Sequence, residues 1–232
     1  MKQPILDALV AARRDKRAVV LATRLSDGAQ SLIEGDTVTG ELEVTEAIRE
    51  AAGAARSADK GRTVEVAGAQ VFVQPFNPPL RLIVVGAVHI AQPLVPIARI
   101  AGYEVTVVDP RRTFATDERF PDVALSDDWP DEALEQLKPD HRTAVVTLTH
   151  DPKLDDPALD VALKSEAFYI AALGSKKTHA SRIERLVEAG HDRAALDRIH
   201  GPAGLSIGAV SPAEIAVAIM AQMTAVLRGS AT

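Results

Sequence analysis

RLIVVGAVHIAQPLVPIARIAGYEVTVVDPRR, residues 81–112, decides the fold. It opens on an apolar run at residues 82–85, β-branched and closed by Gly86. Such a run suits a strand buried on both faces of a parallel sheet. A helical stretch is predicted over residues 89–101, with Gly102 placed to stop it. A second strand, residues 104–108, delivers Asp109 at its carboxyl end. Strand, tight turn, helix, strand and acid are the parts of a dinucleotide-binding βαβ unit. Asp109 lies 23 positions after Gly86 (109 − 86). That is close to the spacing of about 20 for an acid that binds a ribose hydroxyl.

The glycine fingerprint is incomplete. Residues 86–91 read GAVHIA, with Gly86 and Ala91 in place but Val88 where the second glycine belongs. A β-branched side chain there narrows the approach of a pyrophosphate and resists positive φ. The pattern therefore predicts a Rossmann-like sheet more firmly than it predicts bound NAD(P).

The chain outward from this stretch has an ordinary globular composition. Its 232 residues are 47% hydrophobic and carry a net charge of −6 without a long basic run. Nucleic acid is not an expected partner, and an aromatic content of 3% offers few bases a stacking surface. There is no cysteine, so the chain has no thiolate nucleophile, disulfide or Cys-ligated metal and cannot itself carry a persulfide. No apolar run reaches transmembrane length, and the first 20 residues lack a signal-peptide apolar region. A cytoplasmic protein that does not enter a membrane is expected.

Before residue 76 the pattern reads helix (4–14), strand (18–24), strand (30–34), helix (44–57) and a hairpin (63–66 and 70–74). Phe76, Asn77, Pro78 and Pro79 continue neither helix nor strand. The boundary is placed there: a small α+β domain at 1–76 and a Rossmann-like domain at 80–230. The second continues with helix (132–137), strand (144–148), helix (157–164), strand (167–173), helix (176–189) with Ile183, Leu186 and Val187 inward, and a last apolar helix. Ser211, Pro212 and Glu214 form a helix start with a capping box. For residues 215–227 a place in the core is favoured over a dimer face. Strands alternating with helices call for a parallel sheet covered on both faces.

Ligands on such sheets bind beyond the carboxyl ends of the strands. Four ends carry polar residues: 86–89, 109–112, 149–153 and 174–179. At the fourth, Gly174, Ser175, Lys176, Lys177 and Thr178 precede a helix and suit a phosphate, although no P-loop pattern is present. Each candidate has a plainer reading beside it. Asp109 either binds a ribose or pterin group or caps a turn with Arg111 or Arg112. His89 either contacts ligand or is an ordinary first-turn residue. His150 and Asp151 either serve the site or hold a loop. Ser175 and Thr178 either bind phosphate or cap the helix. Nothing in the spacing of His150, His179 and His200 requires a metal. No nucleophile elbow accompanies Ser175, so a catalytic triad with His150 and Asp151 is not expected.

The stretches VVGAVHIAQPL, VTVVDPRRTFATDERFP, LTHDPKLDDPAL, FYIAALGSKKTHASRIERL and RIHGPAGLSIGAVSPAEIAVAIMA resemble, in this order, the XdhC/CoxI family. The resemblance covers residues 80–228. It implies a Rossmann-like fold and a chaperone, not an enzyme. Such a chaperone binds molybdenum cofactor (molybdopterin), guards it while a cysteine desulfurase sulfurates it, and inserts it into a molybdenum hydroxylase apoenzyme of the xanthine or CO dehydrogenase type. Matched residue by residue, the family motifs fall on Gly86, His89, Asp109, Arg111, Thr149, His150, Asp151, Asp155, Asp156, Gly174, Ser175, Lys176, Thr178, His179 and residues 200–202, including His200. The amino-terminal part departs from the family. Its usual Ser-Gly-Gly-Cys-type motif is replaced around Thr39 and Gly40, without cysteine. A trimmed form that works with a second, fuller homologue is one consequence; a homodimer is also expected. The competing readings are an NAD(P)-dependent oxidoreductase and a nucleotide-binding regulatory subunit.

Overall fold

A computed structural model describes residues 1–230. The chain forms two compact units, Met1–Pro79 and a larger one beginning at Leu80.

The first unit is an antiparallel sheet with a helix on each face. Its elements are α1 (Gln3–Arg14), β1 (Val19–Arg24), β2 (Gln30–Glu34), β3 (Thr37–Gly40), α2 (Glu46–Ala58), β4 (Arg62–Val66) and β5 (Ala69–Phe76). Strand order is β3-β2-β1-β5-β4. Successive side chains of a strand point to opposite faces, and β1 feeds both cores in that way. Val19 and Leu21 pack with Ile5, Leu9 and Ala12 of α1. Val20 and Ala22 pack with Ile48, Ala51, Ala52 and Ala55 of α2. Strand β3 was not expected. All four of its residues are exposed, so it lacks the alternation that marks a half-buried strand.

The second unit holds β6 (Leu80–Val85), α3 (Ala91–Ile100), β7 (Tyr103–Val108), β8 (Ala124–Ser126), α4 (Pro130–Leu137), β9 (Thr143–Thr147), α5 (Pro152–Lys164), β10 (Tyr169–Ala172), α6 (Lys176–Glu188), α7 (Arg193–Leu196), β11 (Ile199–His200) and α8 (Pro212–Leu227). The sheet order is β11-β10-β9-β6-β7-β8, and every pairing is parallel. β6 is first in the chain yet central in the sheet. The order reverses between β6 and β9, which is where such sheets open a ligand crevice. Leu82 and Val84 face a core closed by α3 and α8. Ile83 and Val85 face the opposite core, closed by α4, α5 and α6. Full burial of each such side chain stabilises the fold by roughly 1.5–3 kcal/mol.

Three expectations are corrected. Helix α5 begins at Pro152, not at residue 157; Asp151 is its N-cap and accepts a hydrogen bond from the Lys153 N–H. Pro152 occupies the first turn, where a missing N–H costs nothing, and Pro157 is carried inside the helix. Helix α3 starts at Ala91, so His89 belongs to the preceding turn. In α6, Val187 is 39% exposed, whereas Arg182 is buried on the inward face with Leu186. The short β8, β11 and α7 carry too few residues for a periodic signal. Helix α8 packs its buried face, including Ile219, Met220 and Met223, into the core shared with α3. Among the described residues, no helix is long and apolar enough to cross a membrane.

Candidate functional site

The residues singled out from sequence fall around the carboxyl edge of the parallel sheet, in three neighbourhoods. The first is the turn after β6. Gly86 has φ +110°, and a Cβ there would meet Thr149 Cγ2 at 2.6 Å. The glycine is therefore required by the close approach of Thr149, at the end of β9, to the end of β6. Asp109 leaves β7 and turns back beneath this loop. It is fully buried. Its Oδ2 accepts from the Ala87 N–H and from Arg111 Nη2, both at 2.8 Å. Its Oδ1 accepts from the Arg111 N–H at 3.0 Å and from Arg111 Nε at 2.8 Å. A carboxylate offers about four lone-pair sites, and all four are used. The plainer reading of Asp109 thus describes the structure: it fastens the turn and Arg111, and has no lone pair left for a ribose hydroxyl. Burial pushes its carboxyl up, but the Arg111 and Ala87 donors outweigh this and hold it below the ordinary range. Arg111 lies with its guanidinium carbon 4.5 Å from the Phe114 ring centroid. Val88 is half-buried against the core, and His89 is exposed.

The second neighbourhood joins β9, α5 and α6. The Thr149 hydroxyl donates to Asp155 Oδ1 at 2.6 Å, and the Thr149 N–H points to the same oxygen at 3.3 Å. Asp155 is buried beside Arg182, with 3.5 Å between Oδ2 and Nη2. Burial raises the Asp155 carboxyl above its usual range despite Thr149 and Arg182. His150 holds a left-handed backbone at φ 62°, a strained state for a non-glycine residue. Asp151 is spent as the cap of α5.

The third neighbourhood is the start of α6. Ser175 caps the helix by accepting from the Thr178 N–H at 3.1 Å, and the two hydroxyls lie 2.9 Å apart. The first-turn N–H groups of Lys176 and Lys177 have no acceptor within their own helix, and both side chains are exposed. Gly174 and Lys176 also line a cleft of about 360 Å³. Its other walls are the glycine-bearing stretch around Gly204 and Gly208, with Ile215 and Ala218 of α8. His200 does not enter a polar cluster: its ring stacks on Tyr169, with centroids 4.9 Å apart. The His179 ring abuts Gly201 so closely that no Cβ fits there. Its Nδ1 is buried without a partner. Burial lowers the pKa of both histidines, and the charge of Arg182 adds to this at His179. Among the described residues, no group of three potential metal ligands comes together.

Three residues were not singled out from sequence. Arg119 donates to the Ala87 carbonyl at 2.8 Å and to the Phe114 carbonyl at 2.6 Å, so it ties the β6 turn to the segment after β7. Gln222 of α8 accepts from the Tyr169 hydroxyl at 2.7 Å and from the Gly204 N–H at 2.9 Å. Arg182 is the third, and it carried a signal. It stands four residues before Leu186, on the helix face that the apolar pattern turns inward.

The strand order and the all-parallel pairing define a Rossmann-type domain, with the candidate residues gathered at the carboxyl ends of its strands. A family model for the XdhC Rossmann domain matches residues 82–223, more than half of the chain. The chain belongs to the XdhC family. It is 32% identical over 154 residues to a Bacillus subtilis protein described as a probable xanthine dehydrogenase subunit, covering 66% of this chain and 44% of that protein. It is 30% identical over 155 residues to the molybdenum cofactor insertion chaperone PaoD of Escherichia coli, covering 67% of this chain and 42% of that one. The chain thus spans less than half the length of either relative. A crystal structure of a xanthine dehydrogenase from Bacillus halodurans superposes with a TM-score of 0.73 at 27% identity, covering 99% of this chain and 64% of that one.

Proposed function

We propose that this chain is a maturation chaperone that binds molybdenum cofactor and assists its delivery to a molybdenum hydroxylase apoenzyme. Kinship to an insertion chaperone supports this reading. The observation that carries it is the cleft of about 360 Å³ that shares Gly174 and Lys176 with the start of α6. The cofactor's phosphate would sit on residues 174–178, against first-turn N–H groups and two lysines. Its ring system would enter the cleft beneath the Gly204–Gly208 stretch. That cleft mixes apolar walls with backbone polar groups, as small-molecule sites do. His89, Asp109, Arg111, Thr149, His150, Asp151, His179 and His200 then form or support the surrounding edge, Asp109 and Asp151 by holding loops. Such a role needs grip and shelter rather than an acid, base or nucleophile at fixed geometry.

The finer parts belong to the same proposal: sulfuration of the bound cofactor by a cysteine desulfurase, cooperation with a second XdhC/CoxI homologue, a homodimer, and action in the cytoplasm. The absence of cysteine means that any sulfur is carried by the partner. The dinucleotide alternative gains nothing from the geometry, because Asp109 is saturated by its own loop. The test is retention of molybdenum cofactor on ultrafiltration. Lys176→Ala combined with Thr178→Ala is expected to weaken retention about tenfold or more, the effect of losing a charged hydrogen-bond partner. Unchanged retention would remove the phosphate site from residues 174–178.

A further inference from the structure

Between the start of α5 and one face of α6 lies a second cavity, of about 240 Å³. His150, Asp155, Lys177, Thr178, Ser181 and Arg182 line it. Lys176 opens on the larger cleft, and Lys177 opens here.

The buried pair in its wall is incompletely satisfied. Arg182 is 1% exposed. Its Nη2 donates to the Leu173 carbonyl at 2.8 Å. Its Nε and Nη1 are buried without a partner, and so is Asp155 Oδ2. The 3.5 Å between Arg182 Nη2 and Asp155 Oδ2 is beyond a good charged hydrogen bond. Buried polar atoms are nearly always paired. Three orphaned atoms in one ion pair, beside a cavity, point to a ligand that supplies the missing partners.

Neighbouring charges narrow its chemistry. Arg185 is already used: Asp156 takes its Nε at 2.5 Å and its Nη2 at 3.0 Å, and the Ser181 carbonyl takes its Nη1 at 3.1 Å. That leaves Arg182 and Lys177 as cations facing the cavity, with the Ser181 and Thr178 hydroxyls beside them. Two cations against one carboxylate favour an anion and disfavour a metal ion. Asp155 Oδ2 is an acceptor that still needs a donor, so the anion must bring a proton of its own. A monoprotonated phosphate meets both demands. Sulfate meets only the first, since it carries no proton near neutral pH.

We propose that this cavity binds a protonated phosphate group, with Arg182 and Lys177 holding its oxygens and Asp155 accepting its O–H. The site thereby selects phosphate over sulfate, because a bare sulfate oxygen would face the carboxylate with no proton between them. The inference borders the cofactor reading at Lys177 and Thr178 but rests on Arg182, Asp155 and Ser181, which that reading does not use, and it applies to a free phosphate ion or to the end of a phosphomonoester.

Calorimetric titration of the full chain near pH 6, where about half of a phosphomonoester still carries its proton, tests it at constant ionic strength with orthophosphate, glycerol 3-phosphate and sulfate. Saturable binding of either phosphate is expected, with sulfate weaker by on the order of a hundredfold. Preference for the monoester would assign the source to a phosphorylated organic molecule, and preference for orthophosphate to the free ion. Ser181→Ala, at an exposed position, should weaken phosphate about tenfold. It should leave cofactor retention on residues 174–178 intact, which separates failure here from failure there. Asp155→Asn should admit sulfate. Equal binding of sulfate and phosphate by the unaltered chain would overturn the proposal. So would the absence of any saturable binding, which would assign the cavity to water alone.

Discussion

At Gly86 one hydrogen atom in place of a methyl lets two strand ends close on each other. The backbone there is in a region that L side chains rarely adopt, and Thr149 stands where a Cβ would be. Gly86→Ala thus meets two penalties, conformational strain and a methyl–methyl clash. It should destabilise the chain by about 2 kcal/mol or more, read by urea unfolding. Thr149→Ser removes the obstructing Cγ2 but keeps a hydroxyl for Asp155. Adding it should recover part of the loss and leave the strain. Full recovery would mean that φ at Gly86 carries no strain; no recovery would mean that the contact with Thr149 is unimportant. The sequence marks Gly86 as the first glycine of a fingerprint turn and, through the family resemblance, as a cofactor-binding candidate. Its demonstrable work is to let β9 approach β6. Asp109 is similar. Its position after β7 and its turn with Arg111 were both legible, while the Ala87 N–H that completes its saturation was not, because a hydrogen-bond partner distant in the chain leaves no mark on spacing.

At the scale of the element, α6 shows how a polar residue can be hidden in a helix. Leu186 is buried, Val187 is 39% exposed, and Arg182 lies on the inward face. Leu186→Ala should cost about 2–5 kcal/mol, as large-to-small core changes do. Val187→Glu should stay within about 0.5 kcal/mol, as surface changes do. A large effect at Val187, measured by the same denaturation, would mean that its face is covered in solution. Apolar periodicity identified the helix and its length. The spacing of Arg182 four residues before Leu186 placed it on the inward face, but hydropathy, which assigns an arginine outward by default, gave Val187 that place instead. A buried arginine becomes acceptable only through Asp155 and the Leu173 carbonyl, which other elements supply.

For the whole molecule, the depressed histidines give a pH dependence. His179 and His200 have pKa values lowered from the ordinary 6.5, first by burial. The folded state therefore binds fewer protons than the unfolded one just below that value. Their contribution to stability is complete above about 6.5 and is lost as pH falls through the folded values. Unfolding free energy should decline between pH 7 and pH 5. The decline should be smaller in a variant carrying His179→Gln and His200→Gln. Equal declines in both proteins would show that other groups set the acid limit. The larger unit also holds every motif of the XdhC family match, since that match begins at Leu82. The smaller unit has its own two-sided core around β1.

Local chemistry made much of this protein readable without coordinates. Apolar runs marked the buried parallel strands, the single pair of Pro78 and Pro79 stands where the first unit ends, and Ser211, Pro212 and Glu214 marked the start of α8. These signals are short-range, so spacing alone records them. The exposed β3, the two-residue β11 and the early start of α5 depend on neighbours or on a single cap, and had no such record. Only the tertiary structure decided which candidates are free and which are spent. Asp109, Asp151 and Ser175 are engaged in holding loops and helix ends, whereas Arg182 and Asp155, adjacent only in space, keep buried atoms unpaired beside a cavity. The reason is physical: a side chain's availability depends on every donor and acceptor around it, and most of those are brought there by folding.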